Sequence, residues 1–215
     1  MMKLLDENRI IWKFTKGAPE LYILCIIIYQ ILNPTMAGLK TFLLMIAIGR
    51  ANTILKYLIF KPLYKFTGKD ELPIIGKGSR PDGASGCSSL AKDVLGKKSS
   101  GKSKSFGMPS GHSQIAWTLT VFITLQLLDK GNEMSVKNAT IGKEHSLHNA
   151  RYTLLKFAYK AKYEIIALLT VYSLLVSFSR VYVEGCHTIE QVILGALFGT
   201  LFAYIAYYIV HKYIQ

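Results

Sequence analysis

The chain has 215 residues, of which 51% are hydrophobic, and a formal net charge of +13. Its mean hydropathy is +0.28, and a positive value combined with long uncharged runs is rare in a soluble domain of this length. The lysines flank the apolar runs, as basic loops flank membrane helices, and the sequence shows no zinc module and no aromatic and basic platform for single strands. Nucleic acid is therefore disfavoured as a partner, and the bilayer is favoured.

Five apolar segments follow one another along the chain: 18–33, 39–60, 110–128, 164–183 and 189–210. The last three are long enough to cross a hydrocarbon core of roughly 30 Å at about 1.5 Å per residue, and the first is short for a span. Residues 66–108 are rich in Gly, Ser and Lys, which predicts a long extramembrane loop. We therefore predict an all-α, polytopic membrane bundle with about five transmembrane helices, forming one domain over residues 1–215.

The second segment is expected to end at Pro62, with Gly68 the first glycine beyond it. The cysteines are Cys25, Cys87 and Cys186. Three cysteines at unrelated spacings predict neither a disulfide framework nor a zinc site.

The third apolar segment opens with Pro109-Ser110-Gly111-His112. Pro is favoured in the first helical turn and Ser caps helices well, so this stretch predicts a helix start whose unpaired N–H groups carry a partial positive charge. Gly111 lets a ligand approach the backbone, and an oxyanion is the ligand that such a site prefers. An ordinary capped helix with a surface histidine is the alternative.

Two arginines and a second histidine accompany this stretch. Arg180 lies within an apolar run, where an ionisable side chain is functional by default, and His187 follows it closely. Arg80 lies in the long loop, where a plain turn residue is an equally good interpretation. Because the spans alternate in direction, all these groups and His112 fall on one membrane face. Guanidinium groups bind phosphate oxygens, one imidazole can attack phosphorus and another can protonate the leaving oxygen, so the pattern predicts one shared site for phosphoryl transfer.

These residues resemble the three signature motifs of the type 2 phosphatidic acid phosphatase superfamily, with Arg80-Pro81 similar to the end of its first motif. The stretches 106–114 and 187–192 are closer still to its dolichyl diphosphate phosphatase branch. The resemblance implies an integral membrane phosphatase that needs no metal and no cofactor. It also implies roles for the site residues: His187 as the nucleophile, His112 as the general acid, and Arg80, Arg180, Ser110, Gly111 and a lysine as the phosphate-binding groups.

Three departures from the family pattern concern the site. The family lysine stands seven residues before the arginine, where this chain has Pro73; we assign the role to Lys56, with Lys61 and Lys77 as alternatives. From spacing alone, a lysine that only extends to the membrane surface is an equally good interpretation of Lys56. The spacing from Arg180 to His187 is one residue longer than usual, which predicts a bulge at Glu184-Gly185.

The third departure is Gln191, which stands where most of the superfamily has an aspartate. Its amide oxygen can accept the imidazole N–H bond of His187, but it supplies no charge. The neighbouring Glu190 carries a charge, but on a helix it points about 100° away.

The resemblance favours hydrolysis of a polyisoprenyl, dolichyl-type diphosphate to the monophosphate through a phosphohistidine, with no obligatory protein partner. Two alternatives stay open: a broader lipid phosphatase acting on phosphatidate or sphingoid phosphates, and a catalytically silent lipid-binding membrane protein. In a eukaryote we expect the endoplasmic reticulum membrane. The positive residues favour a cytosolic site, the resemblance favours a lumenal one, and glycosylation of the sequon at Asn138, predicted on the opposite face, would require a cytosolic site.

Overall fold

The computed structural model describes residues 10–32, 35–84, 87, 105–131 and 146–214, and within these ranges the chain is almost entirely helical. The helices, numbered here in chain order, are α1 Ile10–Lys16, α2 Ala18–Leu32, α3 Met36–Ile54, α4 Lys61–Thr67, α5 Gly111–Leu128, α6 Ser146–Lys160, α7 Lys162–Phe178 and α8 Ile189–Ile209. A π-helical turn extends α3, α7 and α8 in each case: Leu55–Phe60, Ser179–Val183 and Val210–Ile214. The sequon at Asn138 lies outside the described residues.

Within the described ranges, three continuous helices are long and apolar enough to span a membrane: Met36–Thr67, Lys162–Val183 and Ile189–Ile214. These confirm the predicted all-α membrane bundle. The other two predicted segments correspond to α2, which is apolar but shorter, and to α5, which buries the polar side chains of Ser113, Gln114, Thr118 and Thr120.

The predicted end of the second segment at Pro62 is wrong, because the helix continues to Thr67. Pro62 lies in the first turn of α4, where a missing N–H costs no hydrogen bond. The helix ends instead at Gly68, whose positive φ of 65° provides a left-handed cap. A short antiparallel hairpin follows within the predicted loop, with strand β1, Glu71–Leu72, paired to strand β2, Gly76–Lys77.

Helices α5 and α8 pack closely because α8 presents Gly195 and Gly199 to α5. A Cβ atom on Gly195 would lie 2.5 Å from the Ser110 carbonyl oxygen, and one on Gly199 would lie 2.3 Å from the Gln114 carbonyl oxygen. Two small residues four apart are a common device for close helix packing in membranes. The contact sets the start of α5 beside the start of α8, which brings His112 and His187 to the same end of the bundle.

The other side of this end is closed by α1 and α2. The Tyr22 hydroxyl of α2 donates to the Met45 carbonyl of α3, and the turn between α1 and α2 lies beside His112. At the far end of α5, Asp129 accepts a hydrogen bond of 2.6 Å from Tyr207 of α8. The motif-bearing ends of the helices therefore share one end of the bundle, and Asp129 marks the opposite end.

The prediction that the cysteines form no disulfide is wrong. Cys87 and Cys186 are disulfide-bonded across a sequence separation of 99, and their Cα atoms are 5.6 Å apart. Spacing along a chain does not report distance across a folded loop, and here the loop returns to the turn before α8. Cys25 is a free thiol.

Candidate active site

His187 lies in the turn between the π-helical turn after α7 and the start of α8. Its Nε2 atom lies 3.2 Å from the Arg80 guanidinium, which only donates, so Nε2 accepts and Nδ1 carries the proton. Nδ1–H then donates to the Gln191 Oε1 atom at 2.9 Å. Burial lowers the pKa of His187 well below its ordinary value, and Arg180, Arg80 and Lys56 lower it further. The imidazole is therefore neutral at pH 7, with its lone pair on Nε2.

Gln191 uses both ends of its amide. Its oxygen faces His187, and its nitrogen donates to the carbonyl oxygens of Lys77, at 2.7 Å, and Ser79, at 2.6 Å. Thr188 caps α8 through a reciprocal pair of hydrogen bonds with Gln191. One fully buried side chain therefore orients the imidazole and holds the strand that leads into Arg80.

Arg80 is fixed beside His187 by the turn before α8 and by the loop. Its Nη1 atom donates to the Cys186 carbonyl at 2.8 Å, and its Nε atom donates to the Ser105 hydroxyl at 2.9 Å. Burial, and then Arg180, lower the pKa of Arg80 to about 10, so the guanidinium stays charged at neutral pH. A phosphorus atom in line with His187 Nε2 would lie next to this cation.

Arg180 is buried in the π-helical turn and forms an ion pair with Glu184. Among the described residues, the buried polar atoms without a protein partner include the Arg180 Nε atom, the Ser110 hydroxyl and, one turn further along α5, the Gln114 Nε2 atom. Leaving a buried donor unpaired costs about 1–3 kcal/mol, which suits groups that pair with a ligand instead. Ser110 precedes the first residue of α5, where its side chain makes no capping bond.

A wide turn connects Arg180 to His187. The backbone N–H groups of Cys186 and His187 both donate to the Arg180 carbonyl, at 3.0 and 3.1 Å. Gly185 adopts a positive φ of 58° at this point, which a residue with a side chain disfavours. The wide turn lies where the bulge was predicted.

His112 and Lys56 complete the polar end from two other helices. His112 lies in the first turn of α5, with Nε2 3.2 Å from the Lys16 carbonyl, and Lys56 donates from Nζ to the Phe106 carbonyl at 3.0 Å. Of the three candidate lysines, Lys56 alone is buried at this end. Lys61 lies over the Tyr57 ring, and Lys77 lies 3.7 Å from Asp82.

These groups line one end of a cavity of about 770 Å³ that continues between α2 and α3. Its polar end holds Lys56, Arg80, Gly111, His112 and His187. Its other end is apolar and is lined by Pro19, Tyr22, Ile23, Ile26, Ile27, Phe42 and Ile46. The shape and chemistry suit a molecule with an anionic head and a long hydrocarbon chain.

A family model described as the PAP2 superfamily matches residues 37–215. The chain belongs to the PAP2 superfamily. Comparisons with curated proteins and with solved structures found no match. Membership in PAP2 implies lipid phosphatase-type activity, in agreement with the charged end and the apolar groove of the cavity.

Two groups at the candidate site were not predicted from the sequence: the Glu184 side chain and the Lys16 carbonyl. Glu184 is the carboxylate inside the site, whereas Glu190 is exposed and packs over Gly76. The spacing of four between Arg180 and Glu184 was a readable signal for an ion pair on a helix. The Lys16 carbonyl could not be found from side-chain patterns, because a backbone acceptor has no residue signature.

Proposed function

We propose that the chain hydrolyses a polyisoprenyl, dolichyl-type diphosphate to the lipid monophosphate and inorganic phosphate. The observation that carries this proposal is a cavity that joins two histidines and the cationic side chains of Lys56 and Arg80 to an apolar groove between α2 and α3. The groove is lined by side chains of two neighbouring helices, which suits one extended hydrocarbon chain.

In the first step, Arg80, Arg180 and Lys56 bind the terminal phosphoryl oxygens together with the Ser110 hydroxyl and the first N–H groups of α5. The His187 Nε2 lone pair attacks the terminal phosphorus, and the bond from phosphorus to the bridging oxygen breaks. The negative charge of the bound head group lets His112 carry a second proton on its free ring nitrogen. His112 gives that proton to the bridging oxygen, which leaves as the lipid monophosphate. Cations and donors fixed in advance around the phosphoryl oxygens stabilise the transition-state charge.

In the second step, water attacks the phosphorus of the phosphohistidine. His112, now neutral, takes a proton from that water, and the bond between phosphorus and His187 Nε2 breaks. Inorganic phosphate leaves and both histidines return to their starting states. Gln191 accepts the Nδ1–H bond throughout, which keeps the lone pair on Nε2 for the next cycle.

A diphosphate carries more charge than a monophosphate, and α3 offers a further cation to meet it. Arg50 lines the same cavity as Lys56, on the side of the groove. This arrangement favours a diphosphate over phosphatidate or a sphingoid phosphate.

The disulfide supports an orientation in which the site faces an oxidising compartment. Disulfides form and persist outside the cytosol, and Cys186 immediately precedes His187. We propose a lumenal site, in the endoplasmic reticulum membrane if the source is eukaryotic. The positive residues at this end then serve phosphate binding rather than membrane orientation.

Purified protein in detergent tests the proposed function by phosphate release from a dolichyl-type diphosphate, phosphatidate and sphingosine phosphate. We expect the highest kcat/KM for the diphosphate and a loss of at least about a thousandfold in His187→Ala. His211→Ala is the matched control, because it also removes a histidine, but one that lies beside Asp129 at the opposite end of the bundle. Its activity should equal that of the wild type.

Each other result selects an alternative. Equal release by the wild type and His187→Ala would exclude a nucleophilic His187. A higher kcat/KM for phosphatidate would support the broader lipid phosphatase. No release from any lipid, with no phosphorylated histidine trapped from labelled substrate, would make the chain a lipid-binding protein.

A further inference from the structure

Helix α1 contacts both halves of the site, although the family match begins only at residue 37. The Lys16 carbonyl lies 3.2 Å from His112 Nε2, and the Thr15 hydroxyl lies 3.0 Å from the Ser179 hydroxyl. We infer that the last turn of α1 is a positioning element of the active site, which orients His112 and secures the ion pair of Arg180. This inference rests on the proposed function for the role of His112.

The contact with His112 matches the one that Gln191 makes with His187. A carbonyl oxygen only accepts, so His112 donates from Nε2 in both its neutral and its protonated state. This leaves Nδ1 as the atom that exchanges a proton with the leaving oxygen or with water. Each histidine of the site therefore has one nitrogen held by an acceptor outside the cavity, and for His112 that acceptor comes from α1.

The contact with Arg180 runs through three hydrogen-bonded groups. Thr15 is 1% exposed, and its hydroxyl lies 2.9 Å from the Trp12 carbonyl of its own helix and 3.0 Å from the Ser179 hydroxyl, which donates to the Glu184 carboxylate at 3.0 Å. Glu184 in turn forms the ion pair with Arg180. A carboxylate held by a second donor keeps its position, so Thr15 fixes where the Arg180 guanidinium lies.

Two of the contacts that hold helix α1 beside the site suit a test by single substitutions. The Trp12 ring stacks on Phe178 with centroids 6.2 Å apart, and the Tyr172 hydroxyl donates to the Phe14 carbonyl at 3.1 Å. Trp12→Ala removes the stacking contact and loosens α1 without touching the cavity. Trp12→Phe retains an aromatic ring at the same place.

A double-mutant cycle tests the link to His112. Trp12→Ala should lower kcat about tenfold or more. General acid catalysis accelerates a reaction about 10²–10⁴-fold, and a misplaced general acid loses much of that acceleration. In a His112→Ala background the same substitution should cost less than about twofold, because it acts through the group already removed. Trp12→Phe should restore kcat. Equal losses in both backgrounds would show a merely structural role and overturn the inference.

A binding measurement tests the link to Arg180 independently of turnover. The rise in Tm produced by inorganic phosphate reports the affinity of the site. Thr15→Val should weaken phosphate binding roughly threefold to tenfold, the effect of one buried hydrogen bond, and Thr15→Ser should restore it. Thr41→Val is the matched control, because Thr41 is equally buried and bonds a carbonyl in its own helix, away from the cavity.

The two measurements separate failure of the inference from failure of the proposed function. If the wild type releases no phosphate from lipids, the proposed function fails, and the phosphate affinities of Thr15→Val and Thr15→Ser still decide the inference. If the wild type is active and Thr15→Val binds phosphate as tightly as Thr41→Val, the link through Thr15 is excluded.

Discussion

At the scale of single residues, the protonation state of His187 depends more on the groups around the ring than on the sequence motif in which His187 stands. Burial and three nearby cations keep the imidazole neutral, and two hydrogen bonds place the proton on Nδ1. In the proposed mechanism, the cations that bind phosphate are thus also the groups that keep His187, the proposed nucleophile, unprotonated. One arrangement of charge would then serve both binding and reactivity.

This arrangement predicts a pH dependence. Because the pKa of His187 lies well below its ordinary value of 6.5, its protonation should not reduce kcat/KM between pH 7.5 and 6.5. Arg80→Gln removes a cation that disfavours the imidazolium, so the pKa of His187 should rise. The acid limb of the kcat/KM profile should then move to higher pH, whatever the loss in absolute rate. The substrate titrates in the same way with both enzymes, so it causes no difference between their profiles. An acid limb at the same pH in both enzymes would contradict the assignment of that limb to His187.

Gln191 supports a second prediction at this scale. Aspartate, which most of the superfamily has at this place, is one methylene shorter and has no N–H to donate. In this chain it would point a carboxylate at the carbonyl oxygens of Lys77 and Ser79, which Gln191 now satisfies. We expect Gln191→Asp to lower kcat/KM at least about tenfold and to lower Tm, since buried acceptors lose their donors. An aspartate variant as active as the wild type would show that the two donated bonds are dispensable.

At the scale of helices, the position of the site depends on where helices are interrupted and where they touch. The π-helical turn Ser179–Val183 widens α7 just before His187, the proposed nucleophile, and the pair Gly195 and Gly199 brings α8 against α5. Apolar runs predict that these helices exist, but hydropathy does not report where the backbone hydrogen bonds change from the α-helical to the π-helical pattern. The sequence does contain Gly195 and Gly199 four residues apart, and this spacing is typical of a close contact between membrane helices.

The glycine pair allows a comparison within one helix. A Cβ atom on Gly195 would push against the Ser110 carbonyl at the start of α5, whereas one on Gly199 would push against Gln114 a turn further from the site. Both Gly→Ala variants should lose about 1–3 kcal/mol of unfolding free energy through overpacking. Gly195→Ala should in addition reduce kcat/KM of the folded protein several-fold more than Gly199→Ala. If the two variants lose equal stability and keep equal activity, the position of the Ser110 carbonyl does not affect catalysis.

At the scale of the whole molecule, the convergence of Arg80, His112, Arg180 and His187 on one end was predictable, because alternating spans require it. The structure within the long loop was not predictable from the sequence pattern. The Cys87–Cys186 link in particular joins residues 99 apart in sequence, and the two-residue strands of the β1–β2 hairpin are too short to give a pattern. The disulfide joins the returning loop to the turn that carries His187. Its two residues also supply backbone acceptors to the site: the Cys186 carbonyl to Arg80 and the Cys87 carbonyl to Arg180.

The disulfide should therefore support both stability and activity. Cys87→Ser removes the cross-link that closes a long loop, and we expect it to cost about 2–5 kcal/mol of unfolding free energy. It should also raise KM, because the loop no longer holds the carbonyl acceptors of both arginines in place. Treating the wild type with dithiothreitol should reproduce the rise in KM, and Cys25→Ser, which alters the free thiol of α2, should change neither quantity. The decisive comparison is dithiothreitol added to Cys87→Ser: a further rise in KM would show that the reductant acts elsewhere, whereas no change would place its effect at the link beside His187.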